Sequence, residues 1–353
     1  MNIEVNGFNI WHIIFITFIA SLLLTFIVKK VAKHIGALDI PNKRKIHKVP
    51  TPRLGGLAMF GGFLIGYMLY GTISTQMISV LIGGFVLILT GIVDDIKPVK
   101  ASHKFIFQLI AASIVVIYGK LYFSNLTILG WTLEFPNWLN MFLSIFFIVS
   151  IINAINLADG LDGLASGISA IYFATIAILG IIRNNLGGLD IILALIMLGS
   201  SLGFLFHNFP PAKIFMGDTG SMFLGFMIAI IALLGYKVTT ITSIIVPILI
   251  LSVPIFDTGF AMLRRILKHE SISTPDSEHL HFQILRMTSS QTKSVLIIYA
   301  INILFSAVSI FYVLGDNQIA IGIYAFLLLL VIFLVWKTNI LFDHDKRKSM
   351  KER

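Results

Sequence analysis

The chain has 353 residues, 57% of them hydrophobic and only 12% charged, with a net charge of +9. Soluble domains carry about 25% charged residues, so this composition excludes an ordinary globular protein. There is no cysteine, which removes disulfides, thiolate metal sites and cysteine nucleophiles. The basic excess in so apolar a chain points to cytoplasmic loops of a membrane protein and not to nucleic acid.

Apolar runs long enough to cross a bilayer recur near residues 8–28, 53–71, 76–94, 103–120, 138–156, 165–182, 189–207, 219–236, 240–260, 293–314 and 318–337. The expected fold is all-α: one polytopic membrane domain over residues 1–353, with about eleven transmembrane helices and a basic tail at 338–353. No cleaved signal peptide is expected, because Met1 to Gly7 carries Glu4, no basic residue and no small-residue cleavage site. Alternating the loops puts 23 of the 26 Lys and Arg residues on one side, with only Lys120, Arg183 and Lys237 on the other. The positive-inside rule makes the first side cytoplasmic, together with the C-terminus. Leu126 to Phe135 reads as a small hairpin around Gly130. Phe260 to Lys268 reads as a basic amphipathic helix lying at the interface.

Acidic residues are few, and several gather on the cytoplasmic side. Asp94 and Asp95 end the third span, Asp159 and Asp162 follow the fifth, and Asp218 opens the eighth. Acids near apolar membrane depth are costly and usually functional. Asn153, Asn156, Asp159 and Asp162 recur at intervals of three, and Gly160 and Gly163 argue that the helix breaks there. Phe215-Met-Gly-Asp-Thr-Gly-Ser221 leads into an apolar helix whose N-terminal N–H groups suit a phosphate, or else are capped by Asp218, Thr219 or Ser221. Carboxylates beside phosphate-seeking donors suggest Mg²⁺, which prefers oxygen ligands. Lys97, Lys100 and Lys104 border the cluster, as do Lys43, Arg44, Lys45, His47, Lys48 and Arg53. These set topology and contact lipid headgroups, and a few hold phosphates. His279 and His281 share a face only if their segment is extended; such a pair could hold a transition metal, but as ligands too soft for Mg²⁺ they suit a phosphate or a sugar better. Asp257, near the end of the ninth span after Pro254, is expected to pair with Arg264 or Arg265, or else to contribute to the active site.

These motifs occur in series: Pro50-Thr-Pro-Arg-Leu-Gly-Gly56, Asp94-Asp95, the Asn/Asp string at 153–164, the glycine-rich string at 215–221 and the late histidine loop. Together they resemble the polyprenyl-phosphate N-acetylhexosamine-1-phosphate transferases, the family of MraY, WecA and TagO, over nearly the whole chain. The resemblance implies a Mg²⁺-dependent enzyme that moves a sugar-1-phosphate from a UDP-linked amino sugar to undecaprenyl phosphate and releases UMP. By matching position, Asn156 and Asp218 look like the metal ligands and Lys104 like a donor to the pyrophosphate. Asp162 and Phe215 look like uracil contacts, Asp94 and Asp95 lie at the acceptor phosphate, and His279 and His281 face the sugar. Lys48, Asn153, Asp159 and Asn208 complete the candidate substrate-binding set. A run of three consecutive histidines marks the MraY branch and is absent here. Thr219 and the Glu-His-Leu-His pattern look more like WecA or TagO, which implies UDP-GlcNAc as donor and a role in wall teichoic acid synthesis. Phe282 departs from the pattern, since many relatives carry another histidine there. A homodimer is implied by the resemblance alone.

A catalytic base is not demanded by the chemistry, because a phosphate monoester has its second pKa near about 6. A membrane-edge site crowded with carboxylates would raise that value and restore the need. Asp94 and Asp95 would then titrate as a pair. A transporter is the competing class, but it would place polar groups at mid-membrane, often in repeated halves, and no repeat is visible.

Overall fold

A computed structural model describes residues 3–41, 49–128, 131–184, 186–237, 245–267, 279–315 and 317–337. The helices are α1 (Ile10–His34), α2 (Gly55–Tyr70), α3 (Thr75–Ile96), α4 (Ala101–Ser113), α5 (Asn137–Ala158), α6 (Leu164–Ile182) and α7 (Leu189–Asn208). They continue with α8 (Gly217–Lys237), α9 (Ile245–Ile250), α10 (Ser252–Leu267), α11 (Leu280–Thr288), α12 (Gln291–Leu314) and α13 (Asn317–Lys337). A π-helical turn, Ile114–Tyr118, extends α4. Three two-stranded antiparallel hairpins complete the described residues.

Long uncharged runs form helices here because hydrocarbon offers no partner to a bare peptide group. Polar residues mark the ends. Asn9 accepts from the Trp11 N–H at 2.9 Å and starts α1. Ser74 accepts from the Met77 N–H at 3.1 Å and starts α3. Eight helices among the described residues are long and apolar enough to cross a membrane, and Gly55–Tyr70 and Gln318–Phe333 are shorter apolar helices. The chain is thus an all-α polytopic membrane protein.

The hairpin expected around Gly130 is present as Leu126–Ile128 paired with Trp131–Leu133. The described part of the expected span at 240–260 is interrupted, as its two prolines lead one to expect. Pro247 lies in α9 and Pro254 in α10, with the division at Leu251, as proline's missing donor dictates. The amphipathic stretch from Phe260 is the C-terminal half of α10, and its polarity runs opposite to that of a surface helix. Arg264 and Arg265 are buried while Met262, Leu263 and Ile266 are exposed. The bundle interior is the polar side at this end, and the apolar face is left for lipid.

Helix α8 is the axis of the bundle. Its residues from Thr219 to Gly235 are all buried, and it packs on α2, α3, α5, α6 and α7. α1 packs on α2 and α7 and turns Trp11, Phe15, Leu23 and Phe26 outward. The start of α8 sits so close to α2 that a Cβ on Gly56 would lie 2.1 Å from the Gly220 nitrogen. Glycine at both positions lets the backbones meet. Backbone bonds lock this approach: the Gly55 and Gly56 N–H groups donate to the carbonyls of Phe215 and Met216, each at 3.0 Å. The Phe215 N–H donates to the Pro52 carbonyl at 2.8 Å. The first groups of α2, which have no partner in their own helix, are therefore satisfied by the segment leading into α8.

Candidate active site

The ends of α3, α5 and α7, the starts of α2, α4 and α8, and the late histidine segment converge at one end of the bundle. Asp94 and Asp95 are neighbours at the end of α3, yet they do different work. Asp95 is buried against α8: its Oδ1 accepts from the Asp218 N–H at 3.0 Å, and its Oδ2 accepts from the Thr219 N–H at 3.2 Å and the Thr219 hydroxyl at 2.7 Å. The Arg53 guanidinium lies 3.5 Å from Oδ1. Gly217, at φ +67, makes this fit possible, since a Cβ there would stand 2.2 Å from the carboxylate. The leading N–H groups of α8, expected to receive a phosphate, are thus already taken by a protein anion. Helix-end donors and an anion attract wherever the anion comes from.

Asp94 faces the other way. It accepts from the Val99 N–H at 2.9 Å and lies 3.3 Å from the Lys104 ammonium. Lys104 also donates to Asp218 at 2.7 Å. One lysine therefore bridges two carboxylates. Asn156 donates its amide N–H to the Ser221 hydroxyl at 2.7 Å, and that hydroxyl donates to the Gly217 carbonyl at 3.2 Å. Ser221 and Asp218 share a face of α8 at i, i+3. The Asn156 amide nitrogen is turned to Ser221, so its carbonyl is the end left for a cation.

Oxygen ligands from Asp94, Asp95 and Asp218 all lie within 4.8 Å of one another. An all-oxygen set fits Mg²⁺. Both Asp95 oxygens are committed to α8, which leaves Asp218, Asn156 and Asp94 as the residues whose donors suit the ion.

A cleft of about 510 Å³ opens beside this cluster, with Arg53, Asp159, Asp162, Phe215, Gly217 and Phe282 among its walls. Asp159 ends α5 just outside the helix, where Gly160 and Gly163 were expected to break it. Burial, with the neighbouring charges of Asp218, Asp95 and Asp162, pushes its carboxyl up to about 8 against the opposing pull of Arg53. Asp162 accepts from the Ala212 N–H at 2.9 Å. Asn208 also lines the cleft, but its side chain is engaged by polypeptide. It accepts from the Gly163 N–H and the Ser166 hydroxyl and donates to the Ile214 carbonyl, all within 3.1 Å. It stitches the 159–163 loop to the 209–216 segment, and its contacts are those of a loop brace. Asn153 likewise donates to Gln108 and to the Val149 carbonyl, both at 2.8 Å. Lys48 and the basic run at 43–47 lie outside the described residues.

His279 and His281 are buried beside Asp257, and their rings stack with centroids 5.3 Å apart. Asp257, expected at Arg264 or Arg265, makes its contacts with these histidines: Oδ2 lies 3.3 Å from His279 Nδ1 and 3.2 Å from His281 Nδ1. Sequence reasoning undervalued Asp257, and the available signal was an acid just after Pro254 in an otherwise apolar stretch. It also missed Gln108, which follows Lys104 by four residues on the same helix face. Tyr299, whose hydroxyl donates to the Gly163 carbonyl, gave no signal.

Known proteins bear on this arrangement. Residues 77–236 match the family described as glycosyl transferase family 4. The chain is similar to a probable undecaprenyl-phosphate N-acetylglucosaminyl 1-phosphate transferase of Bacillus subtilis, at 44% identity over 90% of this chain and 89% of that protein. A decaprenyl-phosphate N-acetylglucosaminephosphotransferase of Mycobacterium tuberculosis is 35% identical over 77% of this chain and 74% of its own length. The undecaprenyl-phosphate alpha-N-acetylglucosaminyl 1-phosphate transferase of Escherichia coli K12 is 31% identical over 76% and 74%. With its ordered motifs gathered at one end of a membrane bundle, the chain belongs to this family of polyprenyl-phosphate N-acetylhexosamine-1-phosphate transferases.

Proposed function

We propose that this chain transfers N-acetylglucosamine-1-phosphate from UDP-GlcNAc to undecaprenyl phosphate, giving undecaprenyl-diphosphate-GlcNAc and UMP. The observation that carries the reading is the Lys104 bridge between Asp94 and Asp218, placed beside a polar cleft in an otherwise apolar bundle. Relatives named for GlcNAc-phosphate transfer to undecaprenyl phosphate favour that donor and acceptor.

An acceptor phosphate oxygen attacks the β-phosphorus of the nucleotide sugar. A new P–O bond forms, the bond to the α-phosphate bridging oxygen breaks, and UMP leaves with that electron pair. Such transfers depend mainly on position and charge neutralisation. Lys104 supplies positive charge where the diphosphate splits. Asp95 holds the start of α8, and through it Asp218, in place. Phe215 offers a ring to the uracil and Asp162 a carboxylate oxygen. Asp218 and Asn156, with Asp94 nearby, would hold Mg²⁺. When bound, this ion neutralises diphosphate charge and stabilises the leaving UMP.

The charge bias of the loops supports a cytoplasmic site and C-terminus, where UDP-sugars are found. Initiation of wall teichoic acid, or of another surface polysaccharide, is the pathway we favour, with the enzyme acting as a homodimer in the bacterial plasma membrane. The test is UMP release by purified protein given undecaprenyl phosphate, Mg²⁺ and either UDP-GlcNAc or UDP-MurNAc-pentapeptide. Release with UDP-GlcNAc is expected. Release only with the peptide donor would reassign the substrate, and no release with either would end the transferase reading.

A further inference from the structure

Asp257 belongs to none of the motifs that define the site, yet it organises the histidine segment that packs behind the cleft-lining Gly160. It is buried in α10 and meets α11 at its first turn. Its Oδ1 accepts from the Leu280 N–H at 2.7 Å, the first N–H of α11 and one with no partner in its own helix. Its Oδ2 faces Nδ1 of both histidines, at 3.3 Å for His279 and 3.2 Å for His281. A carboxylate can only accept, so the ring nitrogen that bonds to it must carry the proton. Nδ1 is thereby assigned in His281, and its Nε2 is directed away from Asp257.

That Nε2 is buried without a hydrogen-bond partner in the protein. It abuts the 159–163 loop: a Cβ built on Gly160 would lie 2.1 Å from it. Gly160 lines the cleft with Asp159 and Asp162, and so does Phe282, the next residue after His281. Glycine at 160 is therefore what admits the ring to the cleft wall. A buried imidazole nitrogen left without a protein partner, in a wall shared with the cleft, is a contact waiting for substrate.

We propose that Asp257 is a positioning residue for the nucleotide-sugar side of the cleft. It docks α11 through Leu280 and sets the tautomer and orientation of His281, so that His281 Nε2 is presented at Gly160. This rests on the transferase reading above. Asp257 does not touch the reacting atoms and acts through the histidines.

Asp257→Asn separates the two duties. The amide oxygen can still accept from Leu280 N–H, but the amide nitrogen donates and inverts the tautomer that His281 must adopt. Kinetics would be followed by UMP release from UDP-GlcNAc and undecaprenyl phosphate in the full-length purified protein. Failure of the wild type to release UMP would strike the underlying function and not this proposal. In an active wild-type background, Asp257→Asn is expected to lower the thermal midpoint modestly, since an anion at the start of α11 is lost, and to lower kcat/KM for UDP-GlcNAc by about 10- to 100-fold. That is the factor typically carried by groups that orient a working imidazole, as seen at metal sites. The KM for undecaprenyl phosphate should not move. In a protein already carrying His279→Ala and His281→Ala, the same change should add almost nothing. His281→Asn offers a second route, since its amide nitrogen can stand in for Nδ1 but nothing replaces Nε2, and it should show a comparable loss. The proposal is overturned by wild-type kcat/KM in either variant, by an undiminished effect of Asp257→Asn without the histidines, or by equal damage to both substrates' KM values.

Discussion

Asp94 and Asp95 look interchangeable in the sequence, and the structure predicts that they are not. Replacing Asp95 by Asn leaves one oxygen to accept from Thr219. It also turns an amide donor toward the Asp218 N–H, which now bonds to a carboxylate at 3.0 Å. A hydrogen bond to a charged group contributes about 1.5–3 kcal/mol. An anion at a buried helix start adds up to about 2 kcal/mol. Their loss sums to about 1.5–5 kcal/mol, which overlaps the range expected when one partner of a buried charged contact is removed. Replacing Asp94 by Asn keeps an oxygen for the Val99 N–H and weakens one contact to a partly exposed lysine at 3.3 Å. Contacts of that kind contribute about 0–1 kcal/mol. Thermal unfolding of the two purified variants, followed by intrinsic fluorescence in one detergent, should show a clear drop for Asp95→Asn and little change for Asp94→Asn. Equal midpoints, or the reverse order, would refute the assignment of Asp95 as the clamp on α8.

Three further outcomes are expected. Gly217→Ala forces a side chain into the left-handed region, at about 1–2 kcal/mol, and drives its Cβ against Asp95; transfer should fall with the thermal midpoint, and wild-type behaviour in both would contradict the close approach. Lys104→Met leaves Asp94 and Asp218 without their shared ammonium, so transfer should fall by at least about 100-fold while Mg²⁺ raises the thermal midpoint more than in the wild type; an unchanged Mg²⁺ response would count against the bridge. Asp159 has a folded-state pKa raised to about 8 from 3.8, so the folded protein holds a proton that the unfolded chain releases across that window. Stability from this group is full at acid pH and is lost as pH rises toward 8. Asp159→Asn should therefore stabilise the protein relative to wild type at pH 8.5 more than at pH 4.5, and a pH-independent difference in midpoint would oppose the assignment.

Much of this protein is written in its one-dimensional pattern. Apolar length alone dictates helices, because a membrane offers peptide groups no other way to be satisfied. Rare acids, with the asparagines spaced among them, mark the end of the bundle that carries the candidate site, because such groups are too costly to keep without use. The glycines at 160 and 163 announce the break after α5. What the pattern cannot carry is which group answers which. Asp94 and Asp95 are adjacent in sequence, but on a helix consecutive side chains point about 100° apart, and only the packing of α3 on α8 sends one into a helix start and the other to Lys104. Asn208 reads as a ligand because it is polar and near the motifs; the fold places three protein partners around it. Asp257 and His281 are 24 residues apart, and the contact between α10 and α11 alone joins them. Composition and spacing thus determined what chemistry is present and at which end of the bundle. The tertiary structure decided the direction of each polar side chain, because a buried charge takes its role from whichever donors the packing brings within about 3 Å.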